Sequence, residues 1–244
     1  MANDLQGSDQ LAIRDNSSAI ESDRTYIEAY INRATTYTSI GLYEEALLDA
    51  EDAIGTHRFT ITGSNTGLAE AYNTRAMANF GLGNIELGLS DVSQAITIDG
   101  NFARAYSNRS YMYTSVKQLD LAIIDASKAI KLDPDLSTAY ANRAEAHLRS
   151  NNLSKAVEDS SSALSRDSSL LGARVSRSIS YLGMEEYTKA FEDANIVLSQ
   201  MADYPEALFV RGASQLWITG GQKGHNDLRT VSYTHLTLPT ILLV

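Results

Sequence analysis

Apolar and small residues recur along the chain in short stretches of helical spacing, separated by brief polar breaks. Within residues 103–136, such positions follow helical spacing over 105–113 and again over 119–132. A short break near 116–118 separates the two stretches, and Pro134 ends the second. This pattern predicts two consecutive helices joined by a tight turn.

An arginine marks the first predicted helix of each copy of this pattern. Apart from one interval of 42 residues, its members lie 34 residues apart: Arg33, Arg75, Arg109, Arg143, Arg177 and Arg211. A series of aspartates takes the same steps in the second helix: Asp15, Asp49, Asp91, Asp125, Asp159, Asp193 and Asp227. Because both series share one period and one longer interval, the sequence predicts tandem copies of a 34-residue helix pair.

Small residues fill three further columns with the same period. They are Ala34, Ala76, Ser110, Ala144, Ser178 and Gly212; Ala12, Ala46, Gly88, Ala122, Ala156 and Ala190; and Ala19, Ala53, Ala95, Ala129, Ala163 and Val197. Small side chains let two helices approach closely, in a contact that bulky residues would block. The columns therefore predict close packing within each helix pair.

A tyrosine occupies the fourth position of four consecutive copies: Tyr30, Tyr72, Tyr106 and Tyr140. With small residues at positions 8, 20 and 27, this pattern resembles the tetratricopeptide repeat (TPR) family of 34-residue helix–turn–helix units. The resemblance implies an all-α fold, an α-solenoid that forms a right-handed superhelix. The chain departs from the family pattern at position 11, where Asn79 and His147 replace an aromatic residue, and at position 32, where only Pro134 is proline.

The register divides the chain into units. It predicts a partial unit at 1–26, full units at 27–60, 69–102, 103–136, 137–170 and 171–204, and a partial unit at 205–230. Residues 61–68 are predicted to be a loop insertion, which accounts for the longer interval. Gly7 matches the turn residue Gly41, so the chain is predicted to start inside the first helix of an earlier unit. We therefore expect an internal fragment of a longer array.

Residues 231–244 depart from the repeat in both register and composition. Their first ten residues, VSYTHLTLPT, resemble the in-frame translation of a transposase adapter used in preparing sequencing libraries. We therefore expect a non-native tail. A natural tail that forms a β-strand is the alternative, because Thr, Tyr and Val favour strands.

The arginine and aspartate series are predicted to form ion pairs, because they lie on the two antiparallel helices of each unit. The expected pairs are Arg33 with Asp49, Arg75 with Asp91, Arg109 with Asp125, Arg143 with Asp159, and Arg177 with Asp193. A partly buried pair repeated in each unit would set the register of the helices. Binding of a ligand by these side chains is the alternative.

The resemblance also implies a concave groove lined by the first helices, at positions 2, 5, 6, 9, 12 and 13 of each unit. Position 6 is a column of short amides and hydroxyls: Asn32, Thr74, Asn108, Asn142 and Ser176. Asparagine both donates and accepts hydrogen bonds, so it suits a peptide amide. The column resembles the asparagine ladder of the O-linked N-acetylglucosamine transferase superhelix, which holds an extended peptide backbone. Polar residues that only solvate the groove are the alternative.

Apolar residues at positions 9 and 12 are candidates for pockets that take the side chains of a partner. They are Met77, Tyr111, Phe80 and Leu148. They are equally candidates for packing between units, and the sequence leaves both interpretations open.

Composition excludes several classes of site. The chain has 244 residues, a formal net charge of −10 and no cysteine, so we expect no disulfide, no cysteine-ligated metal and no thiol nucleophile. No Lys/Arg block indicates nucleic-acid binding, and no apolar run reaches the roughly 20 residues of a membrane span. The four histidines lack partners at metal-ligand or catalytic-triad spacing. We therefore predict no catalytic residue, no metal and no cofactor.

The predicted function is a protein–protein interaction scaffold or adaptor that binds an extended peptide or a partner helix in the groove. One alternative is a regulatory or substrate-recruiting array of a larger enzyme, similar to a glycosyltransferase or kinase, whose catalytic part lies outside this sequence. Another is a structural spacer. The open ends of the array, near Leu208, Phe209 and Trp217, are expected to expose apolar surface and to favour self-association.

Overall fold

The computed structural model describes residues 2–59 and 65–219. These residues form twelve α-helices and no β-strand: α1 (Ala2–Ser22), α2 (Ile27–Ser39), α3 (Tyr43–Phe59), α4 (Asn65–Gly81), α5 (Ile85–Ile98), α6 (Ala103–Ser115), α7 (Leu119–Leu132), α8 (Ser137–Arg149), α9 (Leu153–Arg166), α10 (Leu171–Gly183), α11 (Tyr187–Gln200) and α12 (Pro205–Thr219). In this part of the chain, no helix is both long enough and apolar enough to cross a membrane.

The helices belong to two compact bodies, an N-terminal body that ends at Met112 and a C-terminal body that begins at Tyr113. In the N-terminal body, α2 packs on α3 and α4 on α5, and each pair also contacts the next, through α3 on α4. In the C-terminal body, α8 packs on α9 and α10 on α11, and α9 contacts α10 in the same way. The fold is therefore all-α, an α-solenoid of helical repeats, as predicted.

Small residues form the contact surface within each helix pair. In the first pair, Ala34, Ala46 and Ala53 are all 0% exposed. In the second pair the approach is closer still, because a methyl group at Gly88 would lie 3.0 Å from the carbonyl oxygen of Ala76. Alanine and glycine at these positions thus set the spacing of the paired helices.

The turn between the two helices of a pair uses one residue in the left-handed region. It is the residue at position 15 of each unit: Gly41, Gly83, Lys117, Asn151 and Glu185. The amide of the following residue closes the turn, as where Asn152 N–H donates to the carbonyl oxygen of His147 at 2.8 Å. This is the hydrogen bond of a Schellman motif, which satisfies a carbonyl at the end of the first helix.

The partial unit at the start of the chain does not form the predicted turn. Helix α1 runs without a break from Ala2 to Ser22, and Gly7 lies inside it.

The predicted loop insertion at 61–68 is also wrong for its described part. Residues 65–68 form the first turn of α4, which has 17 residues, whereas α2 and α8 have 13 each. Helix α3 is likewise extended to 17 residues and ends at Phe59. The extra residues therefore lengthen two neighbouring helices, since each added turn satisfies its own backbone hydrogen bonds. Residues 60–64 lie outside the described part of the chain.

The last described helix buries more of its apolar surface than expected. Leu208 is 7% exposed and packs in a core cluster with Val197 and Val210, and Phe209 is half-buried against that cluster. Trp217 is 68% exposed and stacks on a tyrosine ring of α11. Of the three side chains predicted to be exposed, only Trp217 is. The rest of the predicted partial unit at 205–230, with Asp227, and the tail at 231–244 lie outside the described residues.

The turn geometry predicts that glycine stabilises the protein where a residue with a side chain now has a positive φ. Lys117 has φ of 61° and Glu185 has φ of 62°, a region that costs most side chains roughly 1–2 kcal/mol. We expect Lys117→Gly or Glu185→Gly to raise the free energy of unfolding by about 0.5–1 kcal/mol after the entropy of the unfolded chain is counted. Urea denaturation followed by circular dichroism measures this change.

The matched control is Lys155→Gly, because Lys155 is an exposed residue inside helix α9. There the same substitution should lower the free energy of unfolding by about 1 kcal/mol. If glycine lowered the free energy of unfolding at position 117 as it does at position 155, the left-handed turn would carry no strain.

Candidate functional site

Arginine at position 7 joins the two helices of its own unit. Arg33 Nε and Nη2 donate to the two carboxylate oxygens of Asp49, both at 2.7 Å. Arg143 makes the same two bonds to Asp159 at 2.8 and 2.7 Å. The other such pairs are Arg75 with Asp91 and Arg177 with Asp193. Two parallel hydrogen bonds fix both distance and orientation, so each pair sets the register of its helices.

The fifth predicted pair divides between the two bodies. Arg109 lies in the N-terminal body, where its Nη1 donates to Ser93 Oγ at 3.1 Å. Asp125 lies in the C-terminal body and is 5% exposed.

A serine on the preceding unit accepts a third hydrogen bond from the same guanidinium groups. Arg33 Nη1 donates to Ser17 Oγ at 2.8 Å, across the boundary between one unit and the next. The others are Arg109 to Ser93, Arg143 to Ser127 and Arg177 to Ser161. This serine column was not predicted from the sequence, although its members follow the register at position 25. Arg33, Arg143 and Arg177 thus each tie their own pair of helices to the helix before it.

An aromatic ring lies beside each of these arginines. The Arg75 guanidinium is 5.2 Å from the ring centre of Tyr72, and that of Arg33 is 6.0 Å from Tyr37. Hydrogen bonding to Asp49 raises the pKa of Arg33 above its ordinary value, against the effect of burial. The arginines therefore stay charged wherever the protein is folded.

The ion pairs predict that two aspartates of the same column differ greatly in how much their substitution by alanine lowers the free energy of unfolding. The Asp159 side chain is 8% exposed and paired with Arg143, whereas that of Asp15 is 69% exposed and pairs with the equally exposed Arg14. Asp159→Ala leaves the guanidinium of Arg143 without its partner and should cost about 3 kcal/mol of unfolding free energy. Asp15→Ala should change it by less than about 0.5 kcal/mol. Chemical denaturation of both variants measures the contrast, and similar losses would contradict a structural role for the pair.

Polar residues at position 11 contact the same aspartates in two units. Asn79 Nδ2 donates to Asp91 Oδ2 at 3.1 Å. His147 is 7% exposed, with its Nε2 3.8 Å from Asp159 Oδ2. Burial lowers the pKa of His147 below 6.5, and this effect outweighs the attraction of Asp159 for the charged form. His147 is therefore a buried neutral side chain of the core and not a ligand.

Because His147 is buried, the free energy of unfolding depends on pH. The unfolded chain has the higher histidine pKa, so it takes up the proton first as the pH falls. The stability due to neutral His147 is complete above about pH 6.5 and is lost as the pH falls below that value. His147→Asn, which copies Asn79, should therefore gain stability relative to the wild type between pH 7.5 and pH 5. Urea denaturation at both pH values tests this, and a difference that does not change with pH contradicts it.

The predicted column at position 6 is only partly open to solvent. Asn32 is exposed, and Asn108 and Asn142 are half-buried. Thr74 is 6% exposed and its hydroxyl donates to the carbonyl oxygen of Glu70. Ser176 is 4% exposed and its hydroxyl donates to Glu145 at 2.7 Å. The two hydroxyl members of the column are thus wrong as open groove residues, because short side chains turn back onto the protein.

Two amides and two aromatic rings lie together on the first helices of the N-terminal body. Asn108 Nδ2 on α6 donates to Asn73 Oδ1 on α4 at 2.9 Å. Tyr111, one turn further along α6, meets Phe80 edge-on, with ring centres 5.2 Å apart. Tyr111 is 46% exposed. We call Asn73, Asn108, Met77, Phe80 and Tyr111 the amide–aromatic cluster.

The remaining apolar candidates divide between core and surface. Leu148 is 2% exposed and belongs to a buried cluster with Val175 and Ile179, so it packs between units and is not a pocket residue. Met77 and Phe80 are half-buried against the core of the N-terminal body. Sequence alone left these two interpretations open, because both place an apolar residue at the same position of a helix.

Metal binding has no candidate in the described part of the chain. Among residues 2–59 and 65–219, no group of three or more histidine and acidic side chains is placed to hold a metal ion.

One of the predicted repeats matches a known protein family in sequence. The tetratricopeptide repeat family model matches residues 103–136, which is one 34-residue unit. In sequence, this unit of the chain is thus similar to the tetratricopeptide repeat family. TPR proteins are generally non-catalytic interaction scaffolds.

Solved TPR structures share its fold. A thermophilic TPR protein from Thermus thermophilus has 16% identity and a TM-score of 0.63, over 78% of this chain and 99% of that one. YrrB, a TPR protein with an unusual peptide-binding site, has 17% identity and a TM-score of 0.53, over 80% and 97%. The Cut9–Hcn1 hetero-tetramer of the APC/C has a TM-score of 0.75 at 10% identity, over 93% of this chain and 46% of that one. At these identities the similarity establishes the fold. No curated protein matches the chain in sequence.

Proposed function

We propose that this protein is a non-catalytic adaptor that binds an extended peptide of a partner protein along the first helices of its N-terminal body. The observation that carries the proposal is the amide–aromatic cluster, where hydrogen-bonding side chains adjoin an exposed ring. Among the solved structures of the same fold, YrrB has a peptide-binding site.

The amides supply the groups that a peptide backbone needs. Each asparagine side chain has two N–H donors and one acceptor oxygen, and the bond between Asn108 and Asn73 uses one donor and one acceptor. The two side chains therefore retain hydrogen-bonding capacity for a peptide amide. Asn32 and Asn142 hold the same position on α2 and α8. Contacts to the backbone would hold peptides of different sequence.

The aromatic rings supply contact with a side chain of the peptide. The edge-on contact with Phe80 fixes the ring of Tyr111 on the protein, so little side-chain entropy remains to be lost on binding. Exposed tyrosine of this kind is typical of interaction surfaces. The adjacent amides and ring together favour a peptide with an apolar side chain beside its bound backbone amide.

The test is selection of binding peptides from a random nonapeptide display library with the full chain as bait. Dissociation constants of the selected peptides are then measured by fluorescence anisotropy. Asn108→Ala combined with Asn73→Ala should weaken binding about 10–100-fold, since each lost hydrogen bond contributes about 1 kcal/mol. Tyr111→Ala should weaken it further.

The matched control is Asn101→Ala, because Asn101 is an exposed asparagine in the loop before α6. This variant should bind the selected peptides as the wild type does. Circular dichroism verifies that all variants keep their helices. Peptides whose affinity is unchanged by the paired substitution would exclude the amides as the binding site.

A further inference from the structure

A second feature of the N-terminal body lies away from the amide–aromatic cluster. A cleft of about 460 Å³ opens between α3, α4 and α5. Its lining residues are Leu47, Glu51, Arg75, Asn79, Asn84, Leu87, Ser90 and Asp91. The cleft therefore exposes the edge of one arginine–aspartate pair.

Two departures from the repeat produce this cleft. Position 11 carries Asn79, whereas in the preceding unit Tyr37 places an aromatic ring beside its arginine. Position 25 carries Glu51, whereas four other units place a serine there that accepts a hydrogen bond from the next arginine. Asn79 donates to Asp91 but places no ring over Arg75, and the side chains of Arg75 and Asp91 are 25% and 11% exposed, against 19% and 7% for Arg33 and Asp49.

Charge decides what suits the cleft. Residues 43–98 contain eight acidic and two basic residues. Glu51 is exposed at the cleft wall, and its carboxylate attracts Arg75, whose hydrogen bonds go to Asp91. The single cation in the lining, Arg75, already donates two hydrogen bonds to Asp91. The field inside the cleft therefore favours a cation.

The rim of the cleft is apolar. Leu87 is 58% exposed, Leu47 is half-buried, and the adjacent Leu48 is 63% exposed. An apolar rim above a carboxylate matches a lysine or arginine side chain, which has an aliphatic stem and a charged end. Of these, arginine fits better, because its planar guanidinium can donate to Glu51 and to the free amide oxygen of Asn79 together.

We propose that this cleft is a second docking site, which takes an arginine side chain from a basic, leucine-containing segment of a partner protein. The guanidinium pairs with Glu51, its stem packs on Leu47 and Leu87, and neighbouring leucines of the partner cover Leu48. This site is independent of peptide binding at Asn108.

The test uses the full chain labelled with ¹⁵N and followed by NMR titration. The probes are Nα-acetylarginine methylamide, its neutral isostere Nα-acetylcitrulline methylamide, and the peptide acetyl-SLRLS-amide. We expect the capped arginine to shift signals of cleft residues and the capped citrulline to bind at least tenfold more weakly. The peptide should bind at least tenfold more tightly than the capped arginine, because its leucines add apolar contact.

Three variants locate the site. Asn79→Tyr restores the aromatic residue of position 11 and should abolish binding, and Glu51→Ser restores the serine of position 25 and should weaken it at least tenfold. Asp52→Asn removes a neighbouring charge outside the lining and should change binding less than twofold. Asn108→Ala should leave it unchanged, which separates this site from the proposed peptide surface.

Three outcomes would overturn the proposal. Equal binding of the arginine and citrulline probes would exclude recognition of charge. Binding that survives Asn79→Tyr in a folded variant would place the probe elsewhere. Equal affinity for the peptide and the capped arginine would identify a site for a free small cation and not for a protein partner.

Discussion

The structure depends on one guanidinium group repeated in each unit. In Arg33, for example, it donates twice to Asp49 on the second helix of its own unit and once to Ser17 on the helix before, and the ring of Tyr37 lies beside it. A mostly buried arginine must satisfy its N–H donors, because an unpaired buried charge is costly. One side chain therefore fixes the register within a pair and between pairs. This requirement explains why the arginine keeps its spacing while most surface positions vary.

Much of the fold was predictable because helix packing leaves a periodic record in sequence. The columns of alanine, arginine and aspartate indicate the helix pairs directly, and the buried alanines occupy the expected places. Exposure was harder to predict, since it depends on neighbouring helices and not on periodicity. Thr74 and Leu148 share helix positions with groove residues, yet both are buried. Likewise, the helical start of α4 at Asn65 follows from backbone hydrogen bonding that a polar sequence does not reveal.

The charged and titratable groups that distinguish individual units lie where the sequence departs from the repeat. Where a unit keeps tyrosine at position 11 and the unit before it keeps serine at position 25, the arginine is covered and hydrogen-bonded. Where Asn79 and Glu51 replace them, a charged cleft opens. At His147 the same position instead holds a buried titratable ring. A regular framework thus tolerates local changes, because each unit contacts only its neighbours. Such changes give individual units separate properties without altering the fold.

The short reach of the arginine contacts also bears on how the protein folds. Arg33 contacts Ser17 and Asp49, each only 16 residues away along the chain. Chains dominated by such local contacts have low relative contact order and fold rapidly, because little loop entropy is lost before a contact forms. Each newly synthesised helix finds its partners among residues that have just left the ribosome. The array can therefore grow processively during translation, each unit docking before the next is complete.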